Sequence, residues 1–259
     1  MPRWARNIAH RGASGHAPEN TLVAFARALE LGADGLELDV RLCADGRLVV
    51  LHDATLERTT DGRGPVRAYP YAQLRRLDAG YRFSPDGGRT FPFRDRGVRI
   101  PLLEEVLEAF PEVPLTIELK ESRPEAVEAL VRLLRGRADQ DRLLVGSFYT
   151  RQLRRFRALM PQVATSAGYR EVLWLRLKLG RPPWPFALVQ IPPRYPPEGL
   201  GLIRLDSSAW IGWLKAQGLG VQYWTVDDPD AMRRLLRAGA DGIITGYPDR
   251  FPEDLGGPG

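Results

Sequence analysis

The chain has 259 residues, 44% of them hydrophobic, with a formal net charge of +5 and one cysteine, Cys43. That length fits one α/β domain and buries a core without help from disulfides or a structural metal. A lone cysteine excludes an internal disulfide and suits a reducing compartment, and no stretch offers the ~20 apolar residues of a membrane span, so the expectation is a soluble cytoplasmic protein without stable membrane insertion.

The first strand is expected at 7–10, followed by a helix over 21–31 that Asn20 or Thr21 can cap. Residues 35–40 read as the second strand. Residues 48–51 break the alternation, because too few residues separate them from Val40 for a parallel crossover. Asp45-Gly46 signals a hairpin instead. With those two residues as the turn, Ala44 faces Arg47, Leu42 faces Val49, and Asp39 faces His52. Residues 53–113 are longer than a normal connection and read as an insertion. Its Gly-, Pro- and Arg-rich part, 78–98, is expected to pass over the barrel mouth. Further strands are expected at 115–120, 143–148, 162–167, 187–191, 221–226 and 241–245. Helices are expected at 102–109, 123–135, 151–159, 207–217 and 231–238.

Residues 171–179 alternate apolar and basic side chains around Trp174, with Trp184 beyond. They read as an outer barrel helix or edge segment in preference to a lipid-contacting one. The Pro- and Trp-rich stretch 181–201 reads as irregular, and the tail 252–259 as frayed. Eight strands alternating with helices predict a TIM (β/α)8 barrel as a single domain over 1–259, with the insertion after the His52 hairpin.

Barrel active sites form at the C-terminal strand ends. Here those ends carry His10, Arg11, Glu37, Asp39, His52, Glu118, Lys120 and Trp224. Glu37 and Asp39 are two apart on one strand and share a face. With Glu118 they make three facing carboxylates, which repel unless a cation sits between them. Hard oxygen ligands of this kind suit Mg²⁺ or Ca²⁺. His10 and His52 are groups able to move protons near neutral pH. Arg11 and Lys120 bring positive charge to the same mouth, as an anionic small-molecule ligand requires. The other arginines are scattered over helical stretches such as 132–137 and 151–157, without the clustered basic and aromatic face of a nucleic-acid binder.

In order and approximate spacing, the chain presents His10-Arg11-Gly12, Pro18-Glu19-Asn20-Thr21, Glu37-Leu38-Asp39-Val40 and Leu51-His52-Asp53. Leu56, Arg58, Thr59-Thr60 and Gly62 follow, then Ile100-Pro101, Leu103-Glu104-Glu105 and Ile117-Glu118-Leu119-Lys120. Ser147-Phe148, Trp224-Thr225-Val226 and Asp241-Gly242-Ile243-Ile244-Thr245 complete the set. This ordered set resembles the glycerophosphodiester phosphodiesterase family over nearly the whole chain. The resemblance implies a TIM-barrel hydrolase that releases glycerol 3-phosphate and an alcohol. It implies a divalent metal on Glu37, Asp39 and Glu118, and an acid/base pair in His10 and His52. It also implies phosphate contacts from Arg11 and Lys120, and a wall at Trp224 against the glycerol or head group. Phospholipase D-type action on lysolipids is the alternative reading. Two positions depart from the family's pattern: Asp227 stands where Asn is usual, and Gly246 where Asp is usual.

Overall fold

The computed structural model describes residues 5–177, 180, 184–195 and 203–252. The expected frayed tail lies outside them, apart from its first residue, as does much of the irregular stretch 181–201. In chain order the elements are β1 (Asn7–His10), α1 (Leu22–Glu30), β2 (Gly35–Leu42), β3 (Leu48–Val50), α2 (Tyr71–Leu74), α3 (Leu103–Ala109), β4 (Leu115–Leu119), α4 (Pro124–Leu134), β5 (Leu143–Gly146), α5 (Thr150–Leu159), β6 (Ala164–Thr165) and α6 (Tyr169–Arg176). There follow β7 (Leu188–Ile191), β8 (Arg194–Tyr195), β9 (Ile203–Arg204), α7 (Ser208–Ala216), β10 (Gly220–Tyr223), α8 (Pro229–Arg237) and β11 (Gly242–Thr245).

Eight of these strands pair in parallel in the order β6-β5-β4-β2-β1-β11-β10-β7. A parallel bridge between Ser166 and Leu188 joins the two ends. Around it the Ala167 N–H donates to Leu188 O and the Ala187 N–H to Thr165 O, each at 2.9 Å. The predicted barrel is therefore present, with all eight strands where the alternation places them. Helix starts follow side-chain chemistry. Thr21 caps α1 through its Oγ1 to the Ala24 N–H at 3.2 Å, and Asp228 caps α8 at 2.8 Å. That cap lets α8 begin at Pro229, where the missing N–H costs nothing.

One apolar layer packs α1, α3, α4 and α5 on β1, β2, β4 and β5. A second packs α6, α7 and α8 on β7, β10 and β11. A third, smaller cluster joins Val49 and Leu51 to Leu56, Tyr71, Leu74 and Ile100, so the long segment after β3 builds its own core on the outer face of the hairpin. Ala79 and Val98 belong to that core, and no residue of 78–98 lines the cavity at the mouth. This segment therefore covers the hairpin, against the expectation that it passes over the mouth. No helix among the described residues is long and apolar enough to cross a membrane.

The hairpin register differs by one residue from expectation. Val40 pairs with Val50, Arg41 with Val49 and Leu42 with Leu48. The reason is the turn. Cys43 N–H donates to Arg47 O at 3.0 Å, leaving a three-residue loop that ends on Gly46 at φ +77°, a conformation glycine adopts without strain. Asp45 holds the loop by accepting the Tyr71 N–H at 3.0 Å. Leu51, rather than His52, consequently lies opposite Asp39, its N–H donating to Asp39 O at 3.0 Å.

Residues 171–176, expected in an outer helix or edge segment, lie in α6. This helix has a packed side and a cavity side. Glu171 and Leu175 are buried, while Tyr169, Val172, Leu173 and Arg176 line the cavity. Its position is set by an ion pair from α5. Arg157 donates through Nη1 to Glu171 Oε1 at 2.6 Å and through Nη2 to Glu171 Oε2 at 3.0 Å. It also reaches Ser166 O at 2.9 Å and Thr165 Oγ1 at 2.7 Å. Arg157 and Glu171 are 7% and 0% exposed, so removing either alone strands a buried charge. Glu171→Ala is expected to lower unfolding free energy by about 3–5 kcal/mol. The double variant Arg157→Met/Glu171→Leu should recover most of that in urea titrations. Equal losses in single and double variants would show that the pair does not position α6.

Candidate active site

Strand register brings the expected groups together. His10 on β1 pairs with Glu37 on β2, and Asp39 on β2 with Glu118 on β4. The chain leaves β1 through Arg11 at φ +58° and Gly12 at φ +80°, a sharp left-handed turn. A side chain at position 12 would sit 2.6 Å from the Ala24 carbonyl carbon. The strain at Arg11 is offset by what it contacts: its N–H donates to Glu37 Oε2 at 3.0 Å, its Nε lies 3.1 Å from Asp39 Oδ2, and its Nη1 3.0 Å from Glu19 Oε1.

Glu37, Asp39 and Glu118 each offer an oxygen within 4.8 Å of the others. Lys120 Nζ lies 3.1 Å from Asp39 Oδ1 and 2.8 Å from Glu118 Oε1. Those two oxygens are buried and accept no well-directed hydrogen bond. Burial pushes the Glu37 carboxyl well above its usual range, and the charges of Asp39 and Glu118 push it further. Glu118 is raised too, mainly by burial, with Lys120 opposing. Burial also opposes the charge on Asp39, but Lys120, Arg11 and His52 together hold it below its ordinary value. With all three ionised, these carboxylates outnumber Arg11 and Lys120 by one charge. Hard oxygens with incomplete hydrogen bonding and an unmet negative charge fit a divalent cation.

His10 is pushed down to about 3, first by burial and then by Arg11. Its Nδ1 lies 3.5 Å from Thr225 Oγ1. His52 is lowered by burial but raised by Asp39 and by its bond to Asp53, where Nδ1 meets Asp53 Oδ1 at 2.6 Å. Asp53 is pushed down to about 2: burial opposes its charge, but Arg58 and His52 outweigh it. Arg58 Nε donates to Asp53 at 2.5 Å, and both terminal nitrogens donate to Glu19 at 2.7 Å. An unbroken ion-pair chain thus runs His52–Asp53–Arg58–Glu19–Arg11–Asp39.

His10, Arg11, Glu37, His52, Glu118, Lys120 and Trp224 line one cavity of about 730 Å³. Asp39, 0% exposed, stands just behind this lining. Beside the charged groups the wall turns apolar, with Phe148 and Trp224 edge to face at 5.8 Å and Lys120 Nζ 5.4 Å from the Phe148 ring centroid. The two departures from the family pattern do not reach the lining. Asp227 Oδ1 accepts from Thr245 Oγ1 at 2.8 Å and from the Gly246 N–H at 2.9 Å, and a side chain at 246 would meet Ser14 Oγ at 2.9 Å.

Sequence reasoning assigned no place in the site to four contributors. Asn20, at φ +58°, exchanges two hydrogen bonds with Asp39: Nδ2 donates to Asp39 Oδ2 at 2.8 Å, and Oδ1 accepts the Asp39 N–H at 3.1 Å. It is free to do so because Thr21 takes the cap. Arg41 Nε donates to His52 O at 2.7 Å and its Nη1 to Lys120 O at 3.3 Å, tying the hairpin end to β4. Glu19 and Arg58 close the ion-pair chain. Asn20, Glu19 and Arg58 stood within the quoted motifs; Arg41, two residues beyond Asp39 on the same strand face, carried only that spacing as a signal.

The sequence profile described as the glycerophosphoryl diester phosphodiesterase family matches residues 10–250. A glycerophosphodiester phosphodiesterase of Caldanaerobacter subterraneus subsp. tengcongensis is 36% identical, over 93% of this chain and 94% of that protein. A phosphodiesterase of Oleispira antarctica, solved in complex with the product sn-glycerol-3-phosphate, superposes with a TM-score of 0.77 at 30% identity, covering 96% and 95% of the two chains. A lysophospholipase D of Rattus norvegicus is 28% identical, over 97% of this chain and 86% of that one.

The electrostatics make a prediction independent of activity. Glu37 binds its proton more tightly folded than unfolded, so its effect on stability worsens as pH rises above 4.5 toward the folded value. In EDTA at neutral pH, Glu37→Gln is expected to unfold a few degrees above the unchanged chain. The gap should close as pH falls to about the ordinary glutamate value. A lower melting temperature for the variant at neutral pH would show that the Glu37 charge is fully compensated.

Proposed function

The chain belongs to the glycerophosphoryl diester phosphodiesterase family, and on that premise we propose that it hydrolyses glycerophosphodiesters to glycerol 3-phosphate and an alcohol. The observation that carries this reading is the gathering of three carboxylates within 4.8 Å in one cavity with two histidines and two cations. Glu37, Asp39 and Glu118 would hold the divalent ion, Mg²⁺ or Ca²⁺. When bound, that ion would supply charge neutralisation for the phosphate, and the one-charge negative excess would become a net positive site for a monoanionic diester.

The chain's own groups do the rest. Arg11 and Lys120 face the phosphate from opposite sides of the carboxylates, in the geometry their ion pairs already hold. Asp53 keeps the His52 Nδ1 occupied, so that Nε2 is the atom presented for proton transfer. His10, whose imidazole is held neutral at ordinary pH by desolvation and Arg11, lines the same cavity. One imidazole takes the proton of the attacking hydroxyl, and the other returns one to the leaving oxygen as its bond to phosphorus breaks. Trp224 and Phe148 form the wall against the glycerol or the departing alcohol. A second reading, phospholipase D-type action on lysolipids, draws on that apolar wall and on the likeness to the rat enzyme.

An assay for the released choline or ethanolamine, run over glycerophosphocholine, glycerophosphoethanolamine and lysophosphatidylcholine, separates the two readings, and glycerol 3-phosphate is the second product expected from the first two substrates only. His10→Ala and His52→Ala are each expected to lose roughly 10²–10⁴-fold in kcat, and near-normal turnover in both would remove the acid/base roles. Excess EDTA should abolish turnover and either Mg²⁺ or Ca²⁺ restore it, while full activity in EDTA with no metal by elemental analysis would remove the cation. Arg41→Met is expected to lower kcat about tenfold or more with little change in KM, because it loosens the His52 backbone rather than the substrate site. A change confined to KM would assign Arg41 to binding.

A further inference from the structure

The charge of this chain is unevenly placed. Residues 148–204 hold ten of the Arg and Lys residues and only two Asp or Glu, a net +8 against +5 for the whole chain. Everything outside that segment is therefore net acidic. Some of these cations are spent internally: Arg157 on Glu171, Arg155 on Glu128 and Arg204 on Asp206. Arg151, Arg170, Arg176 and Arg194 are exposed, and no salt bridge engages them among the described residues.

The same segment carries exposed apolar surface. Of the ten exposed large hydrophobic side chains among the described residues, seven sit on the β5–α5 junction, on α6 or at its end, and on β8 and β9. Phe148 is 51% exposed and Leu177 62%. Five of them form one face, because Phe148, Tyr169, Leu173, Tyr195 and Ile203 all line one cavity, and Tyr169 and Tyr195 place their rings 6.1 Å apart; Tyr149 and Leu177 adjoin it, next to Phe148 in the chain and at the end of α6. Exposed apolar side chains of this size, grouped and surrounded by cations, mark an interaction surface rather than ordinary solvent-facing residues.

We infer that this rim docks on an anionic lipid surface, with the cavity mouth turned toward it. Two features select lipid over nucleic acid. Leu173, Leu177 and Ile203 are aliphatic and offer nothing to a phosphodiester backbone or a base face, but they fit the headgroup–acyl boundary. The aromatic members are mostly tyrosines, whose apolar body and polar tip suit the same boundary. The arginines supply the long-range attraction, worth about fivefold in binding for each charge near the surface. Docking is peripheral, since no described helix is built to cross a bilayer. The surface stands whatever reaction the cavity performs.

Co-sedimentation tests it, using vesicles of phosphatidylcholine alone and of equal parts phosphatidylcholine and phosphatidylglycerol. The full chain should pellet with the anionic vesicles at low salt and be released as salt is raised. Arg151→Glu/Arg170→Glu should bind them at least about thirtyfold more weakly, the loss of two cations alone giving that factor and the two added acids weakening it further. These positions lie in the first turns of α5 and α6, where an acid suits the helix dipole, so the variant should fold. Neither lines the cavity, so turnover of a water-soluble substrate should not change. Tyr149→Ser/Leu177→Ser should weaken the binding further at every salt concentration. Absence of binding to anionic vesicles at low salt overturns the inference. So does unchanged binding by the charge-reversed variant, or displacement from vesicles by a short DNA duplex.

Discussion

Three carboxylates held within 4.8 Å of one another repel, and burial removes the water that would screen them. The protein tolerates this because Arg11 and Lys120 are placed on opposite flanks and because strand register, not side-chain flexibility, holds the acids in place. Asp39 and Glu118 are partners across two hydrogen-bonded strands, so their backbones cannot move apart without breaking the strand pairing. Neutralising one acid relieves the repulsion, and a divalent ion would relieve it while keeping the charge. A site that is costly without its ligand and satisfied with it is what selective cation binding requires.

The same constraint explains the outer ring of ion pairs. Arg11 bridges Asp39 and Glu19; Arg58 also holds Glu19 and continues to Asp53, which meets His52. Every charge between His52 and Asp39 has a partner on each side, so the orientation of His52 is linked to the carboxylate cluster through a continuous path. Arg41 supplies a second path through backbone carbonyls, joining His52 to Lys120. Two independent tethers suit the proton-transfer role proposed for His52, whose supporting strand, β3, is only three residues long.

The barrel was legible because its strands and helices alternate at spacings that few other folds share, and the acids were legible because alternate residues on a strand share a face. His52 was legible as a site residue but not in register. The turn arithmetic took Asp45-Gly46 as a two-residue loop, whereas Asp45 is drawn toward Tyr71, a residue remote in sequence, and the loop widens to three. A one-residue slip ordinarily moves every side chain to the other face. His52 escapes this because the strand ends at Val50 and Arg41 captures the next carbonyl but one. Asn20 was readable as a helix cap and nothing more, since its second use depends on Thr21 taking the cap. The role of α6 was the least legible. Its sequence alternates apolar and basic residues whether they face a core or a cavity, and only the buried Arg157–Glu171 pair decides which side faces in.

The cavity divides along the barrel. β1, β2 and β4 carry the histidine, carboxylates and cations, and β2 is the longest strand, with eight residues. The apolar wall comes from β5 round to β10, where β6 has two residues and a single bridge closes the ring. Chemistry needs geometry held to fractions of an ångström, which paired strands provide. Accommodating an alcohol needs shape and apolar area, which a helix and a short hairpin at the rim provide and can vary without disturbing the acids. The exposed basic and apolar rim belongs to this second half. Binding at that rim would therefore bear on which molecules enter the cavity and how they are oriented, while leaving the spacing of Glu37, Asp39, Glu118 and the two histidines to the strands that hold them.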